Sequence, residues 1–108
     1  MISFSTNRDE AGLITHLWAK GHADYDRQGR DIICAAVTAI CATTICGLTD
    51  ILDIHLSYKL EEGDIELDLS EVEYMGEDVQ LLLETALLGV KQLSMSEDYA
   101  DYLEVLDE

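Results

Sequence analysis

Residues 21–47 read Gly-His-Ala-Asp-Tyr-Asp-Arg-Gln-Gly-Arg-Asp-Ile-Ile-Cys-Ala-Ala-Val-Thr-Ala-Ile-Cys-Ala-Thr-Thr-Ile-Cys-Gly. The first eleven positions break all periodicity and carry two glycines, which predicts a loop over 21–31. From Asp31 the chain becomes apolar or small nearly all round, with no Pro and no Gly before Gly47. A strand of that length would be unusual, so the run reads as a buried helix of about 16 residues that Gly47 ends. Its β-branched residues lower helix propensity, so packing must stabilise it. Asp31 is a natural N-cap, because its carboxylate can accept from the first-turn amides.

On either side of this helix the chain alternates. Residues 2–6 read as a strand, 7–12 as a polar turn and 13–20 as the returning arm, with Ile14, His16 and Trp18 on one face and Leu13, Thr15, Leu17 and Ala19 on the other. Beyond the helix, Ile54, Leu56, Tyr58 and Leu60 alternate with polar residues, 61–64 (Glu-Glu-Gly-Asp) makes a turn, and Ile65, Leu67 and Leu69 alternate again. Residues 75–95 carry a helical stripe of Val79, Leu82, Leu83, Ala86, Leu87, Val90 and Leu93. Leu81, Leu88 and Met95 form a second line at seven-residue spacing, either a dimer contact or a broad core face. Residues 102–106 make a last strand. The expected fold is α+β, a small mixed or antiparallel sheet in the order β-β-α-β-β-α-β, with one helix buried and one covering a face.

The chain of 108 residues is long enough for one core, and 1–108 reads as a single domain. Twenty-three acidic residues against six basic ones leave a net charge of −17. That field repels phosphates, which argues against direct nucleic-acid binding, and it attracts basic proteins as well as conferring solubility. No stretch reads as the roughly 18 apolar residues that span a bilayer, and the N-terminus lacks the pattern of a signal peptide. The expectation is a cytoplasmic protein without a membrane segment. Three cysteines without CxxC spacing give neither a disulfide framework nor a zinc site. On one helix, Cys34 and Cys41 lie about 10 Å apart along the axis, and Cys41 and Cys46 about 7.5 Å. Neither pair can bridge.

Cys34 falls at the third position of the expected helix. There, unsatisfied amides and the helix dipole favour thiolate over thiol. His22 is the candidate base, brought back by the loop, and Asp31 either caps the helix or orients the histidine. Asp31 also opposes the thiolate by its charge. Backbone amides at Ile33 or Cys34 are oxyanion-hole candidates, and Thr38, one turn on, is a pocket candidate or a packing residue. Gly21, Ala23, Tyr25 and Gly29 belong to the expected lid loop. Cys41 and Cys46 read as core, and His16 and His55 as structural or exposed. No metal ligand set and no cofactor motif stands out. From the residues alone, Cys34 as nucleophile, as core, as a redox sensor, or as part of a non-catalytic dimeric binding module all stay open.

The pattern Gly21-His22-Ala23, a variable loop, then Gly29-Arg-Asp31-Ile-Ile-Cys34-Ala-Ala-Val-Thr38-Ala resembles the signature of the ribosomal-processing cysteine protease family, Prp, and the correspondence runs through essentially the whole chain. Thr38 stands where that family's usual residue is serine. The resemblance implies a small homodimeric α+β cysteine protease. His22 would be its base, Cys34 its nucleophile and Asp31 a supporting residue. It implies as substrate the precursor of a basic large-subunit ribosomal protein with a short N-terminal extension, cut after aromatic residues, so an apolar pocket should lie near the dyad.

Overall fold

The computed structural model describes residues 1–22 and 31–108. Strands β1 (Ile2–Arg8) and β2 (Ile14–Lys20) form a hairpin. Helix α1 (Ile32–Cys46) follows and continues into a π-helical turn, Gly47–Ile51. A second hairpin comprises β3 (Ser57–Glu61) and β4 (Asp64–Asp68), and helix α2 (Glu77–Ser94) leads to β5 (Leu103–Asp107). The five strands form one mixed sheet in the order β3-β4-β2-β1-β5, with β5 parallel to β1 and all other pairs antiparallel. The expected element order and α+β class hold.

The topology follows from strand direction. β2 and β3 run parallel across β4, and β4 and β5 run parallel across β2 and β1. The two crossovers travel in opposite directions along the sheet from oppositely directed strands. The right-handed rule then puts both helices on the same face. Ile2, Phe4, Leu17, Ala19, Ile65, Leu67 and Leu103 point from the sheet into the core, and Ile33, Val37, Cys41, Leu83, Leu87 and Val90 meet them from the helices. The opposite sheet face is mostly polar; its apolar members include exposed Leu106 and Trp18, which stacks on His16 with ring centroids 5.2 Å apart. His16 Nε2 lies 3.2 Å from Asp68. Lys20 contacts Asp64 and sits 2.9 Å from Glu66, and Lys59 reaches Asp64 at 2.9 Å.

Several expectations need correction. Helix α1 is not enclosed all round: Ile33, Val37, Cys41, Thr44 and Ile45 are buried, whereas Ala35, Thr38, Ala39, Thr43 and Cys46 are exposed. Small residues allow most of this exposed face at little hydrophobic cost, with exposed Ile32 in the first turn the exception. Cys46 is therefore not core. Gly47 does not stop the helix, because its φ of −62° and ψ of −44° are right-handed helical. Its lack of a side chain serves packing instead, since a Cβ there would stand 3.0 Å from Leu82 Cδ1 on α2. The continuous run Ile32–Ile51 is in fact 20 residues long and apolar enough, by length and composition, to cross a bilayer. Here it packs one face against the sheet and α2.

In the first hairpin the alternation slips. Asn7 pairs with His16 but Arg8 with Ile14, so Thr15 is an extra residue, and Ile14 turns into the core beside Leu17 and Ala19. Gln80, buried on α2, clamps this point: its Oε1 accepts from Ile14 N–H at 2.8 Å and its Nε2 donates to Ile14 O at 3.1 Å. In the second hairpin, Ile54 and Leu56 precede the strand and pack from the connection, with Ile54 N–H bonded to Leu48 O at 2.8 Å. The second line on α2 is not a core face, for Leu81, Leu88 and Met95 are 66%, 59% and 74% exposed.

Candidate active site

The site lies where the end of β2, the start of α1 and the β3–β4 turn converge. Lys20 pairs with Asp64 at the end of the β2–β4 ladder, so the two-residue turn Glu62–Gly63 comes to lie beside the residues that follow β2. Gly21 N–H donates to Gly63 O at 3.0 Å, and the Met1 nitrogen donates to His22 O at 2.6 Å. His22 thus leaves the sheet held by its backbone, with its side chain exposed. Gly21, placed in the lid by sequence, is instead anchored to the sheet. Ala23, Tyr25 and Gly29 lie outside the described residues.

Asp31 starts α1 in an extended conformation, and its buried carboxylate accepts from Ile33 N–H at 3.0 Å and Cys34 N–H at 3.1 Å through Oδ1. This is the N-cap that the sequence implies. The amides of Ile33 and Cys34, the oxyanion-hole candidates, are both engaged by this cap. The Ile33 side chain is in the core.

Cys34, one turn into α1, is half-buried. It lines one small cleft with His22 and Thr38 from the polar side, and Ile2, Ala19, Val37 and Ile65 supply an apolar wall. The cleft holds about 30 Å³, room for about one water. Glu62 and Gly63 close it from the hairpin. Sequence reading missed these last two and the wall residues Ile2 and Ile65. Ile65 and the turn reach the cleft because β4 pairs with β2, which no local pattern specifies, and Ile2 reaches it from the start of β1, which pairs with β2.

The other cysteines differ in environment. Cys41 is fully buried, and desolvation pushes its thiol up to about 12, so it stays protonated and inert. Cys46 is exposed on the far end of the helix, away from the cleft lining. Among the described residues, no three His, Cys, Asp or Glu side chains converge as a metal site.

A half-buried thiol and an imidazole on one cleft, set on a two-layer α+β sheet, are the equipment of a thiol protease. Residues 1–104 match the family model described as Cysteine protease Prp, and the chain belongs to that family of cysteine proteases. It is 22% identical over 99 residues to the ribosomal processing cysteine protease Prp of Staphylococcus aureus, covering 92% of each chain. The crystal structure of the S. aureus protease with a covalently linked product peptide superposes with a TM-score of 0.87 at 20% identity, covering all of both chains. The same protease with a substrate peptide gives 0.77 at 18% identity over the full length of both. SMU.848 from Streptococcus mutans gives 0.84 at 30% identity, covering 99% of this chain and 96% of the other.

Proposed function

We propose that the chain is an endopeptidase that removes the N-terminal extension of a basic large-subunit ribosomal protein. The observation that carries the reading is the shared cleft: Cys34 and His22 line one wall-and-floor site beside apolar Ile2, Ala19, Val37 and Ile65. The Cys34 thiolate attacks the scissile carbonyl, and His22 takes the thiol proton. The C–N bond breaks as His22 returns that proton to the leaving amine. Water, deprotonated by the same imidazole, then hydrolyses the thioester and restores the thiol. The chemistry needs a thiol, an imidazole and water, with no cofactor. Asp31 supports it by fixing the first turn of α1 behind the thiol.

The charge of −17 suits a basic substrate, which it would draw in over a range of about 10 Å at ordinary salt. The place of action is the cytoplasm, where ribosomal proteins are made. We also infer a homodimer. The groove of about 400 Å³ between the helices, formed by Ala39, Ile40, Thr43, Leu82 and Gly89, adjoins α2, which carries exposed Leu81, Leu88 and Met95, and a second copy would cover both.

The test is incubation of the protein with the unprocessed ribosomal protein of the same cell, followed by mass analysis of its N-terminus at low and high salt. A single shortened product, formed more slowly as salt rises, is expected. An intact precursor under conditions where the protein is folded would overturn the reading.

A further inference from the structure

The turn that closes the cleft meets the histidine at unusually short range. Gly63 adopts a φ of +72°, and a Cβ built on it would stand 2.7 Å from Nε2 and 2.9 Å from Cε1 of His22. The same residue accepts the Gly21 N–H at 3.0 Å, so one turn touches both the backbone entering His22 and the outer edge of its ring. We propose that Gly63 is a positioning residue, whose bare Cα sets the resting place of the His22 imidazole and so its alignment with the Cys34 thiol across the cleft. The inference rests on the His22–Cys34 reading above.

A two-residue hairpin turn already asks for a residue that tolerates positive φ, which would explain a glycine without any role in the site. Gly12 separates the two demands. It has a φ of +86° in the first hairpin, with nothing within 4 Å of its would-be Cβ. A methyl group costs backbone strain at either glycine, but only at Gly63 does it collide with a side chain. The colliding atoms are the far end of a rotatable ring, so the fold yields easily by swinging it aside. Proton transfer does not yield easily, since it requires donor and acceptor within about 2.6–3.2 Å, and a displacement of about 1 Å can cost about 100-fold. Gly63→Ala should therefore behave like Gly12→Ala in stability and unlike it in chemistry.

The experiment compares full-length wild type, Gly12→Ala, Gly63→Ala, His22→Ala and the double variant Gly63→Ala/His22→Ala. Thermal melting gives stability, and iodoacetamide alkylation of Cys34, followed by peptide mass mapping across pH, gives the state of the dyad. Similar melting shifts for the two glycine variants are expected. Gly63→Ala should slow Cys34 alkylation at neutral pH by about tenfold or more and move its pH midpoint toward that of an ordinary thiol. Gly12→Ala should leave both unchanged. In the His22→Ala background the Gly63 change should have no further effect, because there is no ring left to displace. Gly63→Asn keeps a residue type that tolerates this φ while carrying the same Cβ, and it replaces the alanine variant should that fail to fold. Gly63→Ala alkylating like Gly12→Ala, or slowing Cys34 equally with and without the imidazole, would overturn the positioning role alone. Unchanged Cys34 reactivity in His22→Ala would overturn the dyad and the positioning role with it.

Discussion

Cys34 donates its backbone N–H to Asp31 Oδ1 across 3.1 Å, so the residue that starts α1 also fixes the turn on which the thiol stands. Asp31 spans both amides nearest the thiol, with Ile33 N–H at 3.0 Å. Capping and charge are separable by substitution. Asp31→Asn keeps an oxygen acceptor and should retain most of the melting temperature. Asp31→Ala should lose about 1–2 kcal/mol, measured by denaturant unfolding. If Asp31→Asn cleaves peptide at the wild-type rate and Asp31→Ala is slower, the carboxylate acts through the cap alone.

The three cysteines should respond differently to substitution and to alkylation. Cys34→Ala should abolish cleavage while costing about 1 kcal/mol or less, because the side chain is small and half-buried. Cys41→Ala should keep the chemistry but lose roughly 1 kcal/mol for the deleted buried sulfur. Cys46, exposed, should alkylate at the rate of an ordinary surface thiol. Mass mapping of each cysteine separates the three, and cleavage that survives Cys34→Ala would remove its assigned role.

Arg8 ties the first strand to the last strand and to α2. Its guanidinium lies 2.8 Å from Glu84 and 2.9 Å from Asp107. Hydrogen bonding to Arg8 holds both carboxyls below the usual carboxylate range, and Thr6 adds a 2.6 Å bond to Asp107. A depressed carboxyl contributes stability above its unfolded value, about 4, and loses it as pH falls through the folded value. Melting temperature should therefore drop as the pH goes below about 4. Asp107→Asn should start lower at neutral pH and show a shallower acid limb. Parallel acid limbs for the two proteins would show that the network does not govern acid unfolding.

The proposed dimer is tested on α2. Leu88 is 59% exposed, so Leu88→Glu should leave a folded monomer near wild-type stability and shift the sedimentation coefficient from dimer to monomer. A variant that sediments like the wild type would place the contact elsewhere.

Much of this architecture was legible in the chain. The hairpin alternation, the helix after Asp31 and the stripe on α2 each follow from local period and capping. What escaped reading was set by contacts distant in sequence. Gly47 looks like a terminator, but it is a packing glycine because Leu82 lies against it. The face of Ile14 depends on an extra residue, Thr15, that shifts the β1–β2 register. Cys46 is exposed because α2 and the sheet cover only the other face of α1. At the site, the place of Cys34 in the first turn behind the cap, and of Cys41 deeper in the helix, was readable from position relative to Asp31. The approach of Gly63 to His22 was not, since it arises from the pairing of Lys20 with Asp64.

The most direct measurement of the central claim is covalent capture with a short peptide chloromethylketone ending in an aromatic residue, mapped by digestion and mass spectrometry. Fast labelling of Cys34 is expected, with Cys41 unlabelled, Cys46 reacting only at the slow rate of a surface thiol, and the Cys34 rate reduced by about 100-fold or more in His22→Ala. Labelling confined to Cys46, or capture of Cys34 at an unchanged rate without the imidazole, would contradict it.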